Sequence, residues 1–217
     1  GAGSGAAVVD AFASLTVNDI TSKAFGTSSI MIGDNATGTI DAANYNTGLG
    51  VNVFSALTTG DNNVAIGFGA GDALTTGGQN VAIGYLALST EDTHGSNVAI
   101  GRQALENQNA GAEAYNVAIG SLAGNAITTA TANTLLGGLA GDSLTTGGDN
   151  VAIGFEALST EDAHGSSVAV GHRALKTQNA GAHSYNVGVG KGAGQLVTTG
   201  AYNTFMGGQS GDANTTA

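Results

Sequence analysis

The pentapeptide Asn-Val-Ala-Ile-Gly begins at Asn63 and returns at Asn80, Asn97, Asn116 and Asn150, with the variants Ser-Val-Ala-Val-Gly from Ser167 and Asn-Val-Gly-Val-Gly from Asn186. A catalytic or ligand-binding motif occurs once per site, so a motif written again and again at a fixed interval has an architectural task. Aligned on its first residue, the registers are Ser29, Asn46, Asn63, Asn80, Asn97, Asn116, Asn133, Asn150, Ser167, Asn186 and Asn203. Successive steps are 17 residues, except for steps of 19 from Asn97 and from Ser167. A second period overlies the first: residues 75–120 return, with substitutions, as residues 145–190, a duplicated block of four units.

Within a unit, Val64 and Ile66 alternate with Asn63, Ala65 and Gly67, a period of two that reads as a short strand. Branched side chains on one face and small ones on the other lead us to expect an inward rung of Val64, Ile66, Val81, Ile83, Val98, Ile100, Val117 and Ile119, continued by Val151, Ile153, Val168, Val170, Val187 and Val189. Ala65, Ala82, Ala99, Ala118 and Ala152 are then expected on the opposite face, small enough for another layer to approach. A second apolar segment, Ala70 to Gly77 or Ala87 to Ser96, reads as a second short strand that closes in a turn rich in Gly, Asn, Asp and Thr. Recurrent glycine and Thr-Thr-Gly clusters leave no room for a helix of three turns. Two short strands and two turns bury nothing alone, but stacked on copies of themselves they do. The fold predicted is all-β, a parallel β-solenoid or β-roll of about ten to eleven coils of 17–19 residues over residues 29–217, after an N-terminal cap or linker at 1–28. Advancing about 4.8 Å per coil, it makes a rod roughly 50 Å long. Asparagine at the turn is placed to bond backbone groups and to ladder with the asparagines above and below it.

Composition narrows the function. Lys and Arg total 5 against 16 Asp and Glu, a net charge of −11 that repels a phosphate backbone, so nucleic acid is not an expected partner. No apolar run approaches the length of a membrane-spanning helix, so membrane insertion is not expected, and the opening residues lack the basic start of a secretory signal. Cysteine is absent, which removes disulfides and thiolate metal sites. Much of the 41% hydrophobic content is alanine, so a lone rod buries little and lateral association is expected.

Repeated Asn-Val-Ala-Ile-Gly followed by x-x-Ala and a Thr-Gly or Asn-rich turn resembles the YadA-like head repeats of trimeric autotransporter adhesins, and is similar to the repeat arrays of bacteriophage tail fibres. The resemblance spans about Ser29 to Thr216. It implies a left-handed β-roll, a parallel homotrimer packed through its small-residue faces, and use as a rigid stalk or receptor-facing head. Units of 17 and 19 residues are longer than the usual adhesin head repeat and point to the phage-fibre side.

Four sets of residues invite chemistry. Glu91, Asp92 and His94 recur as Glu161, Asp162 and His164, a pattern suited to metal binding or acid–base catalysis. The copies lie four coils apart, about 19 Å along the rod, and read better as solvated turns. Asp61, Asp72, Asp142, Asp149 and Asp212 drift in register and give way to Gln79 or Ala201, unlike a calcium-binding repeat, so no cofactor is expected. The Thr pairs at 58–59, 75–76, 128–129, 145–146 and 198–199 suggest an ice-binding array, but two coils of each four lack the pair. Finally, the position five after the register residue varies widely, so it is expected to face outward; Phe68, Tyr85, Arg102, Phe155, His172 and Lys191 are its candidate contacts for a cell-surface glycan or protein receptor. The expectation is therefore a non-enzymatic structural or adhesive fibre, on a virion or outside a cell, whose first partner is itself as a homotrimer. Alternatives are a head-to-tail filament subunit, an ice-binding solenoid, and a polysaccharide depolymerase, which would require a persistent carboxylate cluster.

Overall fold

The computed structural model describes residues 15–17, 20–23, 29–33, 42–161, 163, 165–213 and 215–216. Thirteen strands join one sheet in chain order. β1 (Leu15–Val17) and β2 (Ile20–Lys23) are antiparallel, and β2 lies antiparallel on β3 (Ile30–Gly33). From β3 onward every pairing is parallel: β4 (Thr47–Leu49), β5 (Val64–Ile66), β6 (Val81–Ile83), β7 (Val98–Ile100), β8 (Val117–Ile119), β9 (Thr134–Leu136), β10 (Val151–Ile153), β11 (Val168–Val170), β12 (Val187–Val189) and β13 (Thr204–Met206). The chain is thus an all-β parallel solenoid of about ten turns with 11 parallel strands and, among the described residues, no helix. The expected cap at 1–28 lies largely outside the described residues.

Register is exact in kind: Val64 pairs Val81, Ala65 pairs Ala82 and Ile66 pairs Ile83. The 19-residue steps keep it, since Val98 still pairs Val117. Their two extra residues are accommodated between Asn109, whose N–H reaches the Thr128 carbonyl, and Ala114, whose N–H reaches the Gly95 carbonyl.

Two expectations are corrected. The first concerns the strand faces. Ala65, Ala82, Ala99, Ala118 and Ala152 point into the coil with no exposure, whereas Val64, Ile66, Val81, Ile83, Val98, Ile100, Val117, Ile119, Val151, Ile153, Val168, Val170, Val187 and Val189 face outward and are half-buried. The reason is room. The eight coils from Asn63 to Asn186 each send one large side chain across the interior from eight or eleven residues after the register: Leu88, Leu105, Leu158 and Leu175 from the first position, Leu74, Ile127, Leu144 and Val197 from the second; the coil of Asn46 sends both Phe54 and Leu57. With leucine opposite, the strand can offer only alanine. Where the strand does carry bulk, glycine compensates across the core: a Cβ on Gly124 or Gly141 would come within 2.8 or 2.9 Å of Leu135.

The second correction is that each coil has one strand, not two. The Leu-bearing segment is a run of turns in which Leu86 and Leu88 have φ of 51° and 50°. Its backbone still ladders from coil to coil: the Leu86 N–H donates to the Phe68 carbonyl below, and the Leu88 N–H to the Ala104 carbonyl above. An extended strand would carry every second side chain inward, whereas in this turn the adjacent Ala87 and Leu88 are both buried.

The closing glycine of the pentapeptide has its own cause. Gly84 has φ +137°, and a Cβ there would overlap the carbonyl of Gly101 in the next coil. No side chain fits where two coil corners approach this closely.

Candidate functional site

Two constellations remain once the core is assigned: a buried polar column and an exposed apolar face.

The column starts from the register asparagine. The backbone N–H donates to the register side chain one coil earlier, Asn46 to Ser29 Oγ at 2.9 Å, and then to asparagine Oδ1, for example Asn63 to Asn46 at 2.8 Å, Asn80 to Asn63 at 2.9 Å and Asn133 to Asn116 at 2.9 Å. The Nδ2 group then donates to a turn carbonyl, as Asn63 does to Gly77 at 2.9 Å. Both ends of a fully buried amide are satisfied, and the rod gains a side-chain ladder parallel to its backbone ladder.

Glu91 belongs to this column. It is fully buried although it was expected on a solvated turn. Its Oε1 accepts the His94 N–H at 3.2 Å, and desolvation holds its carboxyl above the usual range, opposed by that hydrogen bond and by the charge of His94. Glu91, Asp92 and His94 each bring one ligand atom to within 4.8 Å of the others. The Thr93 hydroxyl already sits between Asp92 Oδ1, at 3.1 Å, and His94 Nδ1, at 2.9 Å. In the second block Gln178 Nε2, one coil on, donates to Glu161 Oε2 at 3.1 Å. The equivalent atoms in the first block, Gln108 Nε2 and Glu91 Oε2, are both buried without a hydrogen-bond partner, so each is the other's natural complement. These acids therefore occur where leucine takes the eighth position and leaves the eleventh to a polar residue that can join the asparagines. Asp162 and His164 lie outside the described residues.

In the threonine pairs the first hydroxyl turns to a neighbouring coil, while the second threonine of each pair is exposed. Thr58 Oγ1 donates to the Thr75 carbonyl at 3.0 Å, Thr75 Oγ1 to the Asp92 carbonyl at 2.8 Å and Thr198 Oγ1 to the Thr215 carbonyl at 2.8 Å, tying successive coils together.

Comparison with protein-family models, curated proteins and solved structures finds no match.

The exposed face is built by the strands. Their outward residues form two continuous columns from Ile30 and Ile32 to Thr204 and Met206, and no charged residue enters either column, in a chain with 16 acidic residues. Leu49, Leu136 and Met206 on these columns are 47%, 46% and 71% exposed. At the exit edge of the strands, five after the register, Phe68, Tyr85, Arg102, Phe155, His172 and Lys191 are all exposed. Phe68 stacks on Tyr85 with ring centres 5.6 Å apart, and Phe155 on His172 at 5.7 Å. At the entry edge, immediately before the register residue, lies a second exposed row that sequence reasoning missed, including Tyr45, Tyr115, Tyr185 and Tyr202. Tyr185 and Tyr202 stack at 5.2 Å. All four of these tyrosines adopt positive φ, between 50° and 63°, where bulky residues are rare. Their fixed distance from the repeat was the signal available in the sequence.

From Thr47 onward charged groups keep to the turns. Glu156 accepts from Arg173 at 2.7 Å and Lys176 at 2.6 Å, and these cations hold its carboxyl below the usual range. Among the described residues no helix is long and apolar enough to cross a membrane.

Proposed function

We propose that this chain is a rigid, non-enzymatic fibre segment whose copies associate as a parallel homotrimer through the Val/Ile face, most like a bacteriophage tail-fibre shaft or receptor-facing adhesin head. The observation that carries this reading is a charge-free face that is apolar throughout one column and broken only by Thr47, Thr134 and Thr204 in the other. An exposed patch running the length of a rod is far larger than a monomeric soluble surface normally leaves open. The correction of the strand faces moves the seam: the alanines are spent inside each coil, and valine and isoleucine meet the partner instead. Rigidity then comes from continuous backbone and asparagine ladders, and any weak contact at the edge rows or turns is multiplied by the number of copies. Such a rod would serve on a virion or cell surface, with a glycan or protein as its receptor.

A head-to-tail filament is the less favoured assembly, because the antiparallel β1–β2 pair covers β3 and replaces the coil on which the next molecule would stack. Light scattering decides. A homogeneous species of about three times the 21.0 kDa chain mass is expected, whereas a 21.0 kDa species at working concentration would overturn the reading and an open-ended size distribution would favour the filament.

A further inference from the structure

Charge and rings are distributed unevenly around the coil. Beyond residue 29 the chain has four Lys and Arg, and all four lie just past the strand: Arg102 and Lys191 five residues after the register, Arg173 six and Lys176 nine. The exit-edge row itself, from Val51 to Gly208, carries no acid in any of its ten coils, although the chain has 16. It also carries the exposed rings of Phe68, Tyr85 and Phe155. On three successive coils the row reads Phe68, Tyr85, Arg102, and on three others Phe155, His172, Lys191: two rings, then a cation. The duplication did not copy this order. Displaced as residue 75 is to residue 145, Phe68, Tyr85, Arg102 and Ser121 correspond to Gly138, Phe155, His172 and Lys191, so the second triplet stands one coil later than the first. The same surface was reached twice from different coils, and packing of the coil interior places no such demand on an exposed row.

Backbone ladders hold the triplets in line. The Gln103 N–H donates to the Tyr85 carbonyl at 2.8 Å, and the Arg173 and Gly192 N–H groups to the Phe155 and His172 carbonyls at 2.9 Å, so successive members stand one strand spacing, about 4.8 Å, apart. Arg102 bonds Gln103 Oε1, and Gln103 Nε2 in turn bonds Glu106 Oε2 at 2.7 Å, which occupies only part of the five N–H donors of the guanidinium. Arg173 and Lys176 are held by Glu156, whereas among the described residues Lys191 enters no ion pair.

We propose that the exit-edge row binds a linear anionic glycan lying along the rod, with sugar rings against the Phe68–Tyr85 and Phe155–His172 pairs and carboxylate or sulfate groups on Arg102 and Lys191. This rests on the proposed receptor-facing fibre and names the class of its receptor. An aromatic ring offers apolar surface to the C–H bonds of a pyranose, and a cation one coil further on pairs with the acidic group of the next sugar. A peptide strand is the poorer fit, because the backbone groups of the row are already paired from coil to coil and offer it no ladder. Nucleic acid fits no better: Arg102 and Lys191 stand five coils apart, about 24 Å, against one phosphate per ~3.4 Å of each strand of a duplex. The net charge of −11 opposes any polyanion at long range, but beyond about 8 Å it is largely screened at physiological salt. Each contact is weak, and two triplets on each of several copies multiply it.

Native gels cast with polygalacturonate, dextran sulfate or unsubstituted dextran test this on the intact chain. Retardation is expected in an acidic polymer and not in dextran, and the two acidic gels tell carboxylate from sulfate recognition. Arg102→Gln and Lys191→Gln should each weaken retention about threefold or more, and Tyr85→Ala and Phe155→Ala should weaken it without changing the charge. Lys176→Gln removes the same charge beside Glu156 and should alter retention by no more than about twofold. Equal losses in Lys176→Gln and Lys191→Gln, retention in dextran, equal retention by oligothymidylate, or no retention in either acidic polymer would overturn the glycan site. Light scattering separates this from the fibre reading: oligomers that neither acidic polymer retains overturn the glycan site alone, whereas a monomer retained through Arg102 and Lys191 overturns the fibre and leaves the site standing.

Discussion

At the position of a single alanine the fold states its tightest requirement. Ala118 and Ile119 are adjacent, yet one is fully buried and the other half-buried on the outer face. Substituting each tests which face is which. Ala118→Leu adds bulk opposite a core already filled by leucine and isoleucine, and should lower the denaturation midpoint by about 1–3 kcal/mol of stability, as overpacking does. Ile119→Asp places a charge on the outer face of each chain and, in the proposed trimer, against its neighbours, so circular dichroism should keep its β signal while light scattering shows a 21.0 kDa species. Loss of the fold in Ile119→Asp, with Ala118→Leu tolerated, would return valine and isoleucine to the interior. The register asparagine was legible as a ladder residue because amide side chains at a repeated turn position stack; the fully buried state of Asn116, with bonds to Gln108 at 2.8 Å and Ala130 at 2.7 Å, needed the structure.

The coil, as an element, chooses between two ways of filling itself. Leucine arrives from the eighth position or from the eleventh, and when it takes the eighth, the eleventh becomes Glu91, Gln108, Glu161 or Gln178 in the polar column. Burial raises the carboxyl of Glu91 above its ordinary value of 4.5. A carboxyl raised in the folded state adds stability that is complete below the unfolded value and is lost as pH rises through the folded one. Asp72 and Asp142, each with one buried oxygen lacking a partner, are raised by desolvation as well and act in the same direction. Glu156 opposes them: held low by Lys176 and Arg173, it contributes above its unfolded value and loses that contribution as pH falls. Glu91→Gln removes the buried charge and should melt higher than wild type near neutral pH, with the gap closing as pH falls toward 4.5; a gap independent of pH would mean that Glu91 stays ionised at no penalty. The single strand per coil escaped sequence reasoning because Ala-Leu and Ala-Gly-x-x-Leu segments alternate in hydropathy much as a strand does, whereas their positive φ values arise from coil-to-coil contacts.

For the whole molecule, stability is a sum over coils and their interfaces, none of which requires an ion at every turn. Asp positions drift from coil to coil, and the cluster of Glu91, Asp92 and His94 already satisfies part of its bonding through Thr93 and the His94 N–H. Prolonged treatment with EDTA should therefore leave the melting temperature unchanged within a few degrees, and a drop of about ten degrees or more would reveal a structural cation. Such a melt is best followed alongside the oligomer mass, since dissociation and unfolding are linked by mass action.

The repeat by itself determined the architecture: an interval of 17 residues with a period-two core admits stacked coils and little else, so the parallel solenoid, its number of turns and the ladder role of asparagine followed from one dimension of information. Which side of the strand faced inward did not follow, because alternation marks two faces and is silent on which is the core. That was decided by tertiary volume. Leu88, Leu105 and Leu144 reach across from turns whose direction no local pattern announces, and with the interior filled from that side only alanine could complete it. The valines and isoleucines were then left on the outer face, half-buried, which is the face that the proposed self-association would cover.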